Sequence, residues 1–437
     1  MLDKCFAIKV FPNIFSTSVN AKNLLSFALQ MIGMALSFLL SVVVVNYFGE
    51  KVYGDYTLAF SIIELLGVFA MLGFNQFFLI HIPKLLDNPS KITAIYTSGK
   101  KTVVFTSVLF GLILFGISFL DLPYFKSDTA RFFFRFGALT MPLFAFGNLQ
   151  SSFLNSIKLS NLSQWNDKLI KPVVLIVLVL VLALAGLQSE WLLYAYIISV
   201  LAGVMLNFRF VSKHFSFAKS VDISDELANK KRALTLIVII SFITLIASKT
   251  DMYMLGWISG SEYSGLYNVY FKLSGLVSIG LSSSLVIIMP ILSEKLSKFE
   301  LKEARQMLKS SSRLTLTMGI LAFAGIFLIA PYFLKIYKSD IFQSNITALY
   351  IFCFASLVNL LSGPSGALLT AGNKLKLLVL AHSTALVVNV ALNIWLIPSF
   401  GIEGAAWATL ASQIYINVLL YIFCIKYLQL NPTAFGK

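Results

Sequence analysis

Residues Leu24–Phe48, LLSFALQMIGMALSFLLSVVVVNYF, decide the fold class. No charge interrupts the run, and as a helix it is long enough to cross a hydrocarbon core of about 30 Å. Lys4 and Lys9 break up the stretch before it, and no small-residue cleavage motif follows a short apolar core. The run therefore reads as a retained spanning helix and not a removable signal.

Working outward, apolar runs of similar length recur to the end of the chain. Of 437 residues, 58% are hydrophobic and only 12% charged, with a mean hydropathy of +0.85. A soluble chain carries roughly a quarter charged residues to cover its surface. The runs are continuous and not alternating, which excludes a β-barrel and predicts an all-α polytopic membrane protein.

Twelve spans are predicted, near 22–47, 56–82, 102–120, 131–156, 169–186, 189–210, 232–258, 264–292, 314–337, 345–371, 376–397 and 403–426. With the N-terminus inside, 26 Lys and Arg fall at inner positions and 5 at outer ones, namely Lys51, Lys126, Arg131, Lys335 and Lys338. This bias predicts cytoplasmic N- and C-termini, and an odd number of spans would destroy it. The formal charge of +15 is thus topological, and nucleic acid is not an expected partner. The outer connection around Asp121–Ala130 is too short for a domain. The inner segment Glu294–Arg313 reads equally as an interfacial helix or a solvated connector.

Cys5, Cys353 and Cys424 lie far apart, as do His81, His214 and His382, so neither a disulfide framework nor a metal site is expected. No phosphate-binding loop, nucleophile elbow or outer domain is present, and an enzyme is not expected.

The chain repeats itself weakly. Gly54, Tyr56 and Phe60 align with Gly265, Tyr267 and Phe271 at one offset of 211 residues. The matches follow spans one and seven, which predicts two parallel six-helix halves: residues 1–210 and 232–437, joined by a cytoplasmic connector, 211–231.

Five ionisable residues fall inside spans: Glu64, Arg135, Lys249, Asp251 and Lys272. Each costs about 2.5–3.5 kcal/mol at mid-bilayer even on a lenient scale, so they are expected to face a cavity or one another. Lys249 and Lys272 lie about eleven residues either side of the tip near Gly260, at matching depth. Glu64, Arg135 and Asp251 read as the same outer-half layer. Lys249 and Asp251 are about 200° apart on a helix and cannot simply pair. Snorkelling of the basic chains, and a structural pair at Glu64, are the competing readings. Asn389 and Asn393, four apart on one face, serve either the cavity or interhelical bonding. Pro142, Pro290 and Pro364 are expected to kink their helices.

Three segments carry a family resemblance. Residues 47–56, YFGEKVYGDY, form a glycine-tyrosine turn after span one. Residues 251–256, DMYMLG, are followed by SGLY at 264–267 and MPILS at 289–293. Residues 368–374, LLTAGNK, lead to 393–409, NIWLIPSFGIEGAAWAT. In order and spacing the chain resembles polysaccharide-transport (Wzx-type) flippases of the multidrug/oligosaccharidyl-lipid/polysaccharide exporter superfamily. The resemblance implies twelve helices in two pseudo-symmetric six-helix lobes around a central cavity, a MATE-like fold. It also implies an undecaprenyl-diphosphate-linked glycan as substrate, crossing a bacterial cytoplasmic membrane by alternating access. A polysaccharide polymerase and a chain-length regulator would be its partners, and H+ or Na+ a coupling ion. Members often carry a basic residue near the end of span one, where this chain has Asn46, which leaves Lys249 and Lys272 as the expected cationic contacts. A cation-coupled multidrug exporter of the same fold is the main alternative, favoured by Glu64 and Asp251. A membrane-embedded polymerase and a peptidoglycan-precursor flippase are further ones.

Overall fold

The computed structural model describes residues 17–120, 127–219, 221 and 242–435. Cys5, Lys126, most of the connector 211–231 and the start of span seven (232–241) lie outside the described residues.

The first half begins with α1 (Thr17–Phe48), α2 (Glu50–Ala70), α3 (Phe74–His81) and α4 (Pro89–Ile117). It continues with α5 (Asp128–Ala138), α6 (Met141–Ser156), α7 (Ser160–Trp165), a π-helical turn (Asn166–Ile170), α8 (Lys171–Leu184) and α9 (Trp191–His214). The second half holds α10 (Thr250–Ile258), α11 (Ser261–Ser297), α12 (Leu301–Phe333), α13 (Ile341–Ser344), α14 (Ile346–Leu361), α15 (Ser365–Ala371) and α16 (Leu375–Leu428). Local chemistry sets several starts. Asn88 accepts from the Lys91 amide (3.1 Å) ahead of Pro89, and Ser127 accepts from the Ala130 amide (3.0 Å), each an N-cap.

Among the described residues, six helices are long and apolar enough to cross a membrane: α1, α2, α4, α9, α12 and α16. Two bent pairs qualify together, α5 with α6 at 56° and α14 with α15 at 41°. The 54-residue α16 would measure about 81 Å if straight, far more than a bilayer core. It folds back at Gly401 (φ 55°). A Cβ on Gly404 would meet the Leu396 carbonyl, and Asn389 lies 3.4 Å from Ser412, contacts that only antiparallel arms allow.

The structure breaks several elements the sequence reads as continuous. Span two, 56–82, begins earlier as α2 and breaks at Leu72 (φ 46°) and Gly73 (φ 78°). Span four bends before Pro142, and span ten at Gly363 (φ 63°) and Pro364. Span seven is interrupted at Ser248–Lys249, where a helix through 242–247 gives way to α10. In 294–313 there is no separate interfacial helix. α11 runs to Ser297, the chain turns at Phe299 (φ 58°), and α12 starts at Leu301. Ion pairs of Lys295 with Glu300 and Glu303, and of Lys298 with Glu294, hold the turn.

Packing divides the helices into two lobes. α1 lies on α8, α2 on α5 and α6, and α9 on α6 and α8; α11 lies on α12 and α14, while α10, α14 and α15 lie on α16. The lobes meet mainly through α2 and α11. Both helices start after a glycine of positive φ, Gly49 (90°, ψ 161°) and Gly260 (124°, ψ 159°). These glycines obey the same offset of 211 as the sequence repeat. Side-chain-free contact follows one turn on. A Cβ on Gly265 would lie 3.2 Å from the Gly54 backbone, and one on Gly54 would fall on the Ser261 carbonyl. Asn46 adds a tie, donating to the Ile336 carbonyl (2.9 Å) and accepting from the Lys338 amide (2.7 Å).

Candidate functional site: a lysine-lined cavity between the lobes and a carboxylate pocket beside it

A cavity of about 540 Å³ lies between the lobes. α2 supplies Glu64 and part of an aromatic wall, α11 supplies Lys272 and Asn268, and the break ahead of α10 supplies Lys249. The π-turn and α8 add Asp167, Lys168 and Lys171. Tyr53, Tyr56, Phe60 and Tyr196 form the wall, with Phe60 and Tyr196 ring centroids 4.0 Å apart and Tyr56 and Phe60 4.7 Å apart.

Three of the sequence-selected residues meet here. Lys272 reaches across the lobe joint and donates to Ser37 Oγ on α1 (2.7 Å). Lys249, Lys272 and Glu64 interact electrostatically. Neither Lys249 nor Glu64 makes a direct hydrogen bond or ion pair among the described residues. Glu64 lies fourteen residues into α2, about 21 Å along it. That is further from the Gly49 end than the sequence limits of span two imply, because α2 begins at Glu50 instead of near 56. Asp55, which suggests a loop in the sequence, is only 3% exposed in α2 and accepts from Ser127 (2.6 Å).

Asp251 occupies a different place. It lines a second cavity of about 410 Å³ inside the second lobe, with Thr244, Asn359, His382, Asn389 and Thr409. Only 4% exposed, it accepts from Asn393 Nδ2 (2.5 Å), Thr409 Oγ1 (2.6 Å) and Tyr267 Oη (3.1 Å). Asn393 also donates to Asn389 Oδ1 (3.1 Å), while its own Oδ1 is buried without a partner among the described residues. The 200° offset, with the helix break at Lys249, sends Lys249 and Asp251 into separate cavities. α10 packs on α16, which brings Asp251 against both of that hairpin's arms.

Arg135 lines neither cavity. Its guanidinium donates to the Ser118 side chain (3.2 Å) and carbonyl (3.3 Å) at the end of α4 and sits 4.1 Å from the Phe119 ring. A cation at the last carbonyls of a helix satisfies its C-terminal dipole. The residues that sequence reading missed are Asp167, Lys168 and Lys171. Their position just before an apolar run makes them look like inner-loop charges. The i, i+4 spacing of Asp167 and Lys171 was the available signal.

Against known proteins, the chain covers 92% of itself and 97% of an inward-facing multidrug resistance MATE family transporter of the MOP superfamily, at 11% identity and a TM-score of 0.77. An outward-facing MATE family transporter gives a TM-score of 0.63 at 12% identity, with 92% and 94% covered. The lipid II flippase MurJ, in an inward closed conformation, gives 0.63 at 14% identity, with 91% and 86% covered. No curated protein matches the sequence significantly. These likenesses establish that the chain has the all-helical fold those proteins share. The sequence profile described as polysaccharide biosynthesis protein matches residues 20–296, more than half of the chain, and the protein therefore belongs to the polysaccharide biosynthesis family of Wzx-type flippases.

Proposed function

We propose that this protein moves an undecaprenyl-diphosphate-linked oligosaccharide repeat unit from the inner to the outer leaflet of a bacterial cytoplasmic membrane. The observation that carries the reading is the interlobe cavity, where Lys168, Lys171, Lys249 and Lys272 face Glu64 and Asp167. The cavity has a net charge of two positive, attracting a diphosphate without trapping it. The wall of Tyr53, Tyr56, Phe60 and Tyr196 offers flat apolar faces to sugar rings. Twelve crossings, with residues 1–210 and 232–437 as lobes and both termini cytoplasmic, are the layout on which the mechanism rests. The Gly49/Gly260 end is then the outer end, closed by the Gly54–Gly265 contact. The higher similarity to the inward-facing than to the outward-facing MATE transporter supports that assignment. Rocking of the lobes about the α2–α11 joint would expose the cavity to the two sides in turn.

The test is charge-neutral replacement of both Lys249 and Lys272 by Gln in a strain whose surface glycan depends on this chain. Surface polysaccharide should disappear while the protein remains in the membrane fraction. Export at the wild-type level would overturn the cavity assignment.

A second reading draws on the Asp251 pocket. A buried carboxylate beside the unpaired Asn393 oxygen and the Thr409 hydroxyl is an oxygen donor set suited to a hard monovalent cation. It supports Na+ or H+ coupling, either of glycan flipping or of drug export. Proteoliposomes with imposed Na+ or H+ gradients separate these cases. Ethidium efflux without any effect on lipid-linked glycan would favour the drug exporter.

A further inference from the structure

We infer that the π-helical turn Asn166–Ile170 and its neighbour Lys171 form a second subsite for the diphosphate of a polyprenyl-linked substrate, on the side of the cavity away from Gly49 and Gly260. The inference rests on the flippase reading and adds a station to it.

The turn is built to hold lysines sideways. Asn166 Nδ2 donates to the Gly203 carbonyl (2.8 Å), and Ser199 Oγ donates to the Lys171 carbonyl (2.9 Å), fixing the turn to α9. A π-turn leaves backbone groups out of the regular ladder, and the Ser199 hydroxyl recovers one of them, the Lys171 carbonyl. The Lys171 stem then lies across Gly203, where a Cβ would stand 2.7 and 2.8 Å from its Cγ and Cδ. A Cβ on Gly147 would be 4.0 Å from its ammonium. The Lys168 stem lies over Gly33, at 3.1 Å from Cβ and 3.2 Å from Cδ on the same measure. Three helices, α1, α6 and α9, thus lack side chains where two lysines pass. A lysine that merely snorkels extends toward the membrane surface and needs no such clearance.

Lys171 Nζ pairs with Asp167 Oδ1 at 2.6 Å, and the two side chains are 20% and 27% exposed. Both line the cavity, so the pair is open to exchange, a phosphate oxygen replacing one carboxylate oxygen. On α1 the Lys168 stem lies over Gly33, while Lys272 reaches Ser37, four residues nearer Gly49, so the new station lies about 6 Å further from the Gly49/Gly260 end. Among the described residues, no arginine lines the cavity. A lysine grips phosphate as a mobile point charge, where an arginine would clamp it bidentately. Four lysines at two depths suit a substrate that must be passed on and released.

The test is calorimetric titration of the full-length protein in detergent with farnesyl diphosphate. Inorganic pyrophosphate and phosphatidylglycerol serve as competing arms. Lys171→Gln and Lys168→Gln should each weaken binding about tenfold, the size of a lost charge-assisted hydrogen bond. Lys171→Arg should stay within about threefold and supplies a folded comparison that retains the charge. Gly203→Ala, which pushes on the Lys171 stem, should weaken binding in the same direction, and Asp167→Asn should strengthen it a few fold. If affinity is unchanged in the Lys168→Gln/Lys171→Gln protein but lost in the Lys249→Gln/Lys272→Gln protein, the subsite is overturned and the flippase reading stands. If the wild-type protein binds no farnesyl diphosphate, both fail. Equal competition by pyrophosphate or phosphatidylglycerol would overturn the assignment to a lipid diphosphate.

Discussion

The two cavities hold charge in opposite ways. In the second lobe, Asp251 is wrapped by three donors within 3.1 Å, and the pocket reads as a finished structural unit apart from one amide oxygen of Asn393. Between the lobes, Lys249 and Glu64 have no direct partner among the described residues, and Lys272 spends one donor on a serine. A buried ionised group left without a close partner is costly. A charge already wrapped in hydrogen bonds is mainly part of the scaffold, whereas loosely paired charges around an open cavity have capacity left for a ligand. What distinguishes the two places is the state of the partners, since both hold intramembrane charge.

The contrast can be broken most severely at the lysines. Lys249→Gln with Lys272→Gln should reduce surface glycan at least a hundredfold and leave the melting temperature of the detergent-solubilised protein within a degree or two. The reverse pattern is expected at Asp251. Its replacement by Ala orphans the donors of Asn393, Thr409 and Tyr267, a loss on the order of 3 kcal/mol, and should lower the melting temperature by several degrees. Asp251→Asn keeps the shape of the pocket and sharpens the comparison. It should fold with export near wild type, whereas loss of the response to an imposed Na+ or H+ gradient would assign ion coupling to this pocket instead.

At the joint between the lobes, Gly54→Ala places a methyl group on the Ser261 carbonyl. Distances between spin labels at Lys51 and Lys338 should lengthen, and export should fall about tenfold. An unchanged distance distribution would show that the contact does not close the outer end. The smallest effect is expected at Arg135, which lies outside both cavities. Arg135→Gln removes a helix C-terminal cation and should cost about 0.5–1 kcal/mol of stability with export near wild type. A severe export defect there would mean that the cavity extends to α4 and α5.

The sequence made the fold class, the family and the shared depth of Lys249 and Lys272 legible, because hydropathy, motif order and residue spacing along one hairpin need no tertiary information. The depth of Glu64 was not legible in the same way. Asp55 makes the start of α2 look like loop, and only its hydrogen bond from Ser127, 72 residues away, shows why a carboxylate is tolerated there. Lys168 and Lys171 were hidden for a related reason. A lysine ahead of an apolar run counts toward topology until glycines on three other helices reveal that its stem runs sideways. The separation of Asp251 from Lys249 lay between these cases. Helical periodicity gave the 200° angle, but the interruption at Ser248–Lys249 and the hairpin of α16 needed the folded chain.

The contact of Gly54 with Gly265 has a consequence for the origin of the chain. The two glycines occupy equivalent positions in the repeat and touch each other, as residues do on the axis of a two-fold dimer. A six-helix half-chain carrying only the first glycine could make that contact with its own copy. In such an ancestor any change at this position would strike both sides of the joint at once. Joined in one chain, the halves are free to differ there, and they do: Gly54 faces the Ser261 backbone, whereas Gly265 faces Gly54 and the Tyr53 ring.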